Sequence, residues 1–198
     1  MRISICVVVL VMVAIIAAAC FSAGGKNASP PANCLGPKET LDGELLIGNC
    51  TMYDEKGNTV QFSDFRGEYL FVNFWASWCP YCRKEMPAME QVWRERKGNT
   101  FQMLAVSLPM RGETEEAAKD FFFTQHDFTY LFAFDRDGKI SALYDVRSIP
   151  MSYLVDRDGL VQAIIIGSRT WTSPGCQNLL DAFMADEELT RGLIRGCR

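Results

Sequence analysis

Trp75-Ala76-Ser77-Trp78-Cys79-Pro80-Tyr81-Cys82-Arg83-Lys84-Glu85-Met86-Pro87 decides how this 198-residue chain is read. It follows Tyr69–Trp75, YLFVNFW, an apolar and aromatic run interrupted only by Asn73, which suits a central strand buried on both faces. It opens a helical pattern from about Pro80 to Lys97, with Cys82, Met86, Met89 and Trp93 on one face, Gly98 as the stop and Pro87 expected to kink it. The C-x-x-C therefore sits where a buried strand turns into a helix. Unpaired N–H groups and the positive dipole end there favour a thiolate on Cys79, the candidate nucleophile. Cys82, one turn further in and facing the core, is placed to attack a mixed disulfide on Cys79 and release a reduced partner; run backwards, the pair is an oxidant. Pro80 fits the first helical turn, where its missing N–H costs little.

The other readings of a C-x-x-C are half a zinc site or a structural bridge. A zinc knuckle needs a second ligand pair, whereas the other cysteines are singletons and the sole histidine, His126, lies 44 residues on, so no metal is expected.

Outward from this junction, Thr51–Tyr53 and Thr59–Phe62 flank a turn and read as a hairpin. Phe101–Leu108 is the next buried strand and Thr114–His126 a second helix carrying Phe121, Phe122 and Phe123. Strands over Ser152–Asp156 and Leu160–Ile166 follow, then a helix over about Gln177–Met184. A β hairpin, a βαβ crossover and an antiparallel ββα ending imply an α/β fold with a mixed central sheet. Asp135-Arg136-Asp137-Gly138 recurs as Asp156-Arg157-Asp158-Gly159, but neither copy supplies the spaced oxygen ligands of a calcium loop; both read as tight turns.

No charged residue occurs from Ile3 to Gly25, and Arg2 precedes an apolar run ending in Ala17-Ala18-Ala19-Cys20. That is the anatomy of a secretory signal. Small residues before a cysteine resemble the bacterial lipoprotein box, with Cys20 the lipidated residue, although Ala17 stands where Leu is usual. Cleavage at an A-x-A site and an uncleaved anchor are the other readings. The expected organisation is a signal peptide over 1–19, a lipidated N-terminus and linker over 20–44, and a domain over 45–198. Phe21–Asn33 has linker composition and reaches on the order of 45 Å extended.

The chain is 48% hydrophobic with a formal charge of −4, which loss of Arg2 takes to −5. It is long enough for a full core, so disulfides need not create the fold. Without a basic run it offers nothing for nucleic acid, and an acidic domain is not held to anionic lipid by its own surface. With Cys6 in the signal and Cys20 lipidated, six cysteines remain. Beyond Cys79 and Cys82, the four allow three connectivities. Cys34–Cys50 and Cys176–Cys197 are favoured, each worth about 3 kcal/mol in the chain-entropy model; free cysteines or a cross-pairing between the termini stay open.

The segment Phe71–Pro87, FVNFWASWCPYCRKEMP, resembles the thioredoxin superfamily, and more closely the TlpA/ResA branch of extracytoplasmic thiol-disulfide oxidoreductases. Ser63–Gly67 upstream and Ile149–Asp156 downstream extend the similarity over roughly residues 45–185. The resemblance implies a thioredoxin fold, a mixed central β-sheet flanked by helices, here with an N-terminal β-hairpin extension. It implies a cis bond at Ile149-Pro150 facing the dithiol, where the dipeptide alone favours trans, and an Ile149 backbone pairing with an extended substrate. It implies proton handling by Glu85, the glutamate of CxxCxxE, which shares a helix face with Cys82; the other reading is a solvated Glu beside Arg83 and Lys84. Asn73 stands where thioredoxin proper carries a buried, ionisable Asp, which shifts any acid-base role towards Glu85. Trp78, Pro80 and Tyr81 join Ile149 and Pro150 as expected substrate-binding residues.

The expected function is extracytoplasmic, membrane-tethered reduction of protein disulfides, with apocytochrome c among the partners the family implies and electrons from a membrane thiol donor. No cofactor is expected. An oxidase or isomerase is the nearest alternative, and a non-enzymatic binding lipoprotein with a permanent bridge is another. A peroxiredoxin-like peroxidase needs Thr or Ser three residues before the reactive cysteine, where this chain has Ala76.

Overall fold

The computed structural model describes residues 34–41, 43–98 and 100–198. The expected signal over 1–19, Cys20 and the linker up to residue 33 lie outside the described residues. A small antiparallel pair, β1 (Lys38–Glu39) and β2 (Leu45–Leu46), precedes the hairpin of β3 (Thr51–Tyr53) and β4 (Thr59–Gln61). The central unit is β5 (Tyr69–Trp75), α1 (Pro80–Arg96) and β6 (Phe101–Ser107). Next come α2 (Glu115–Lys119), which continues as a π-helix over Asp120–Gln125, β7 (Leu131–Phe134) and α3 (Lys139–Leu143). β8 (Met151–Val155), β9 (Val161–Ile166), α4 (Pro174–Met184) and α5 (Arg191–Gly196) complete the chain.

The main sheet has seven strands in the order β4-β3-β7-β6-β5-β8-β9. β5 runs parallel to β6 and antiparallel to β8, and β6 runs parallel to β7. This is the mixed, helix-flanked sheet of a thioredoxin fold. Strands β1, β2 and β7 and helices α3 and α5 are additions to the elements read from the sequence. The four residues of β7 are too short a run to show a period, yet they pair with Leu104–Ser107 and receive the hairpin through Tyr53 opposite Phe134.

Strand alternation divides the core. Phe71, Trp75, Met103 and Ala105 pack against Met86, Met89 and Val92 of α1 and Leu179, Leu180 and Phe183 of α4. Leu70, Val72 and Phe74 point the other way, with Leu104 and Val106, onto Ile140 and Tyr144. Both faces of β5 are covered, which explains its unbroken apolar run. Asn73, at 0% exposure, falls on the α1 face and needs polar company there.

Helix α1 is continuous through the exposed Pro87, and α4 begins three residues before the expected start. Ser173 caps it by accepting from Cys176 N at 3.4 Å, and Pro174 occupies the first turn. The two Asp-Gly turns use glycine at positive φ, +66° at Gly138 and +76° at Gly159. Their aspartates serve the backbone: Asp135 accepts from Ile140 N, and Asp156 from Asp158 N and Leu160 N. Disulfides join Cys34 to Cys50 and Cys176 to Cys197. The first, with the Leu35–Asn49 bridge, ties residues from the expected 20–44 segment, just beyond the Phe21–Asn33 stretch of linker composition, to the folded domain.

Candidate active site

Trp75 ends β5, and the Leu108 N–H donates to its carbonyl at 3.1 Å. The chain turns over Ala76–Trp78, with Cys79 N donating to Ala76 O, and Cys79 becomes the N-cap of α1. Its Sγ accepts from the Cys82 backbone N–H at 3.2 Å, so a helix-end donor is already aimed at the sulfur that would carry a thiolate. Cys79 and Cys82 form a disulfide. With it closed, Cys79 is 2% exposed and Cys82 0%, a smaller difference in access than the sequence suggests.

The Ile149-Pro150 bond is cis, and the Ile149 carbonyl oxygen lies 3.8 Å from Cys79 Sγ. The loop ahead of β8 thus brings Ile149 and Pro150 to the bridge. Pro150 is buried and its carbonyl accepts from Gly167 N at 2.8 Å, while Ile149 is half-buried. Pro80 and Tyr81 are exposed on the first turn of α1, and Trp78 is half-buried. The five residues expected to meet substrate therefore surround one sulfur pair.

Glu85 is not solvated: it is 2% exposed, facing the core one turn after Cys82. Oε1 accepts from Asn73 Nδ2 at 3.0 Å, and Oε2 accepts from Arg169 N at 2.9 Å and Trp171 Nε1 at 3.2 Å. Burial pushes its acid up to about 7 against these donors and the Arg169 charge. Between the ordinary value of 4.5 and about 7, the folded chain keeps a proton that the unfolded chain has released. This contribution is full below 4.5 and lost as pH rises through about 7, a fall of roughly 3 kcal/mol. Urea unfolding at about pH 5 and about pH 8 is expected to show most of that decline in the wild type, and Glu85→Gln is expected to lack the Glu85 share of it.

A second buried carboxylate, Glu113, escaped the sequence reading. It accepts from Ser77 N at 2.7 Å, Ser77 Oγ at 2.8 Å and Ser107 Oγ at 3.2 Å. Nearby, Trp78 Nε1 donates to Met110 O at 2.9 Å and the Arg111 guanidinium lies over the Trp78 ring. Residues 110–113 thus clasp the loop ahead of Cys79. No local pattern announces a contact across 36 residues, and the same holds for Trp171 and Arg169 on Glu85.

A C-x-x-C bridge at the mouth of the central helix of this fold defines the class of thioredoxin-like thiol-disulfide oxidoreductases. The chain belongs to the AhpC/TSA family, which matches residues 46–164. The protein named Thiol-disulfide oxidoreductase ResA from Bacillus cereus is 36% identical over 122 residues, covering 62% of this chain and 68% of the relative. The thioredoxin domain of a thiol-disulfide oxidoreductase from Bacteroides vulgatus is similar at 27% identity, with a TM-score of 0.58, over 69% of this chain and 93% of that one. A thiol:disulfide interchange protein from Bacteroides sp. gives 29% identity and a TM-score of 0.54, over 60% and 78%.

Proposed function

We propose that this oxidoreductase reduces protein disulfides outside the cytoplasm through Cys79 and Cys82. Cys79 attacks the partner's disulfide, and Cys82 resolves the mixed disulfide, with Glu85 taking the Cys82 proton. The observation that carries this reading is the placement of Cys79 at the N-cap of α1, its sulfur already accepting from Cys82 N, with the buried Glu85 carboxyl one turn beyond Cys82. Trp78, Pro80, Tyr81, Ile149 and Pro150 form the rim that receives the partner. An extended segment would lie along the backbone of Ile149, beside Cys79 Sγ.

Export and tethering enter the proposal from the first twenty residues: a signal over 1–19, lipid on Cys20 and a linker into the domain. Among the described residues no helix is long and apolar enough to cross a membrane. The similarity to proteins named ResA and the TlpA/ResA-like CxxCxxE support a substrate such as apocytochrome c, its thiols freed before haem attachment, with electrons from a membrane thiol donor. Cys34–Cys50 and Cys176–Cys197 act as staples. Peroxide chemistry is not favoured, since buried Ala76 offers no hydroxyl to the sulfur.

The reduction potential of the Cys79/Cys82 pair tests the direction of flow. Equilibration with glutathione buffers is expected to give a value below about −220 mV, near the thioredoxin range. A value near about −120 mV, that of a dedicated oxidant, would reverse the assignment.

A further inference from the structure

The hydrogen-bond partners of Glu85 differ in what they can do once it takes up a proton. Oε2 faces the Arg169 backbone N–H and the Trp171 indole N–H, both obligate donors. A proton on Oε2 would meet two N–H groups head on, so the neutral acid must carry it on Oε1. There it meets Asn73 Nδ2, also a donor in the arrangement observed, whose other hydrogen goes to Ser152 Oγ at 3.0 Å.

Asn73 alone among these partners has both polarities. A half-turn about its χ2 exchanges Nδ2 with Oδ1, and that torsion is broad and two-fold. Oδ1 is buried without a hydrogen-bond partner, so the turn breaks nothing at that end. Afterwards Oδ1 accepts from Glu85 Oε1–H and from the Ser152 hydroxyl, which both donates and accepts. One amide end is unpaired in either arrangement, the oxygen in the first and the NH2 in the second; the first is the cheaper to leave unpaired, so the turn is driven by the Glu85 proton, which otherwise has no acceptor.

We propose that Asn73 is a positioning residue that turns its amide over with the protonation state of Glu85, donating to the carboxylate and accepting from the acid, while the Ser152 hydroxyl reverses in step. An ionised aspartate at position 73 could only accept, and an aliphatic residue could do neither. The other groups facing Glu85 do not substitute. The Arg169 guanidinium only donates, to Gly167 O and Ser168 O; the buried Tyr130 hydroxyl has no hydrogen-bond partner; Cys82 is held in its disulfide. The inference shares with the proposed function only the titration of Glu85, not the transfer to Cys82.

The test is nuclear Overhauser contact from the Asn73 side-chain NH2 in the isotope-labelled chain with its disulfides closed, between about pH 5 and about pH 9. Cross-peaks to Ser152 Hβ and Glu85 Hγ are expected at high pH and lost at low pH, with the midpoint of the Glu85 carboxyl carbon. In Glu85→Gln, the carboxamide sends its oxygen to the two N–H donors and its NH2 to Asn73. That variant is therefore expected to show the low-pH pattern throughout, including where Glu85 does not titrate within the range. An Asn73 pattern unchanged through the Glu85 midpoint, or a high-pH pattern in Glu85→Gln, overturns the proposal. Loss of turnover in Glu85→Gln is read separately and bears on the Cys82 step alone.

Discussion

Replacing Cys79 with serine is expected to slow reduction of a protein disulfide at least about 1,000-fold, because an alkoxide is not available near neutral pH where a thiolate is. The helix that holds the residue should be little changed. A serine oxygen at the N-cap can still accept from Cys82 N, and serine is a preferred cap. Circular dichroism of the variant should match the wild type while an insulin-reduction assay reads the loss. A large loss of activity with the fold retained assigns the chemistry to the sulfur.

The second large effect is expected at Glu85. With the acid pushed up to about 7 by burial, its two forms coexist near neutral pH, so it can take the proton of Cys82 and return it. Glu85→Gln preserves the donors' shape complementarity at Oε2 but cannot carry a proton. Turnover is expected to fall about 100-fold, and the limb of the pH–rate profile near pH 7 should vanish. The formation of the mixed disulfide on Cys79, measured in a single turnover, should be much less affected. A Gln variant with the wild-type rate and profile would leave Glu85 a structural acid.

Local signals carried the strand, turn and helix around the cysteines. A buried run, a proline in the first turn and a 3.6-residue apolar face all lie within Tyr69–Trp93, and the pattern settles how Cys79 is presented. What surrounds Glu85 was not legible. Helical spacing places it near Cys82, but its burial depends on Asn73 from β5, and on Arg169 and Trp171 more than eighty residues away. Ser152 gives no signal in a strand otherwise read as apolar. Glu113 reads as an unremarked acid ahead of a helix until the loop folds back on Ser77. β7 is not legible because four residues cannot show alternation, though it links the β3–β4 hairpin to β6 within the main sheet. Long-range polar contacts have no period, and this site is assembled from them.

Cys82→Ser gives the most direct measurement of the central claim, that Cys79 opens a partner's disulfide and Cys82 releases it. Mixed with an oxidised peptide disulfide, the reduced variant is expected to accumulate a covalent adduct, and peptide mapping by mass spectrometry should place that adduct on Cys79. No adduct, or one mapped to another cysteine with Cys79 free, would contradict the account.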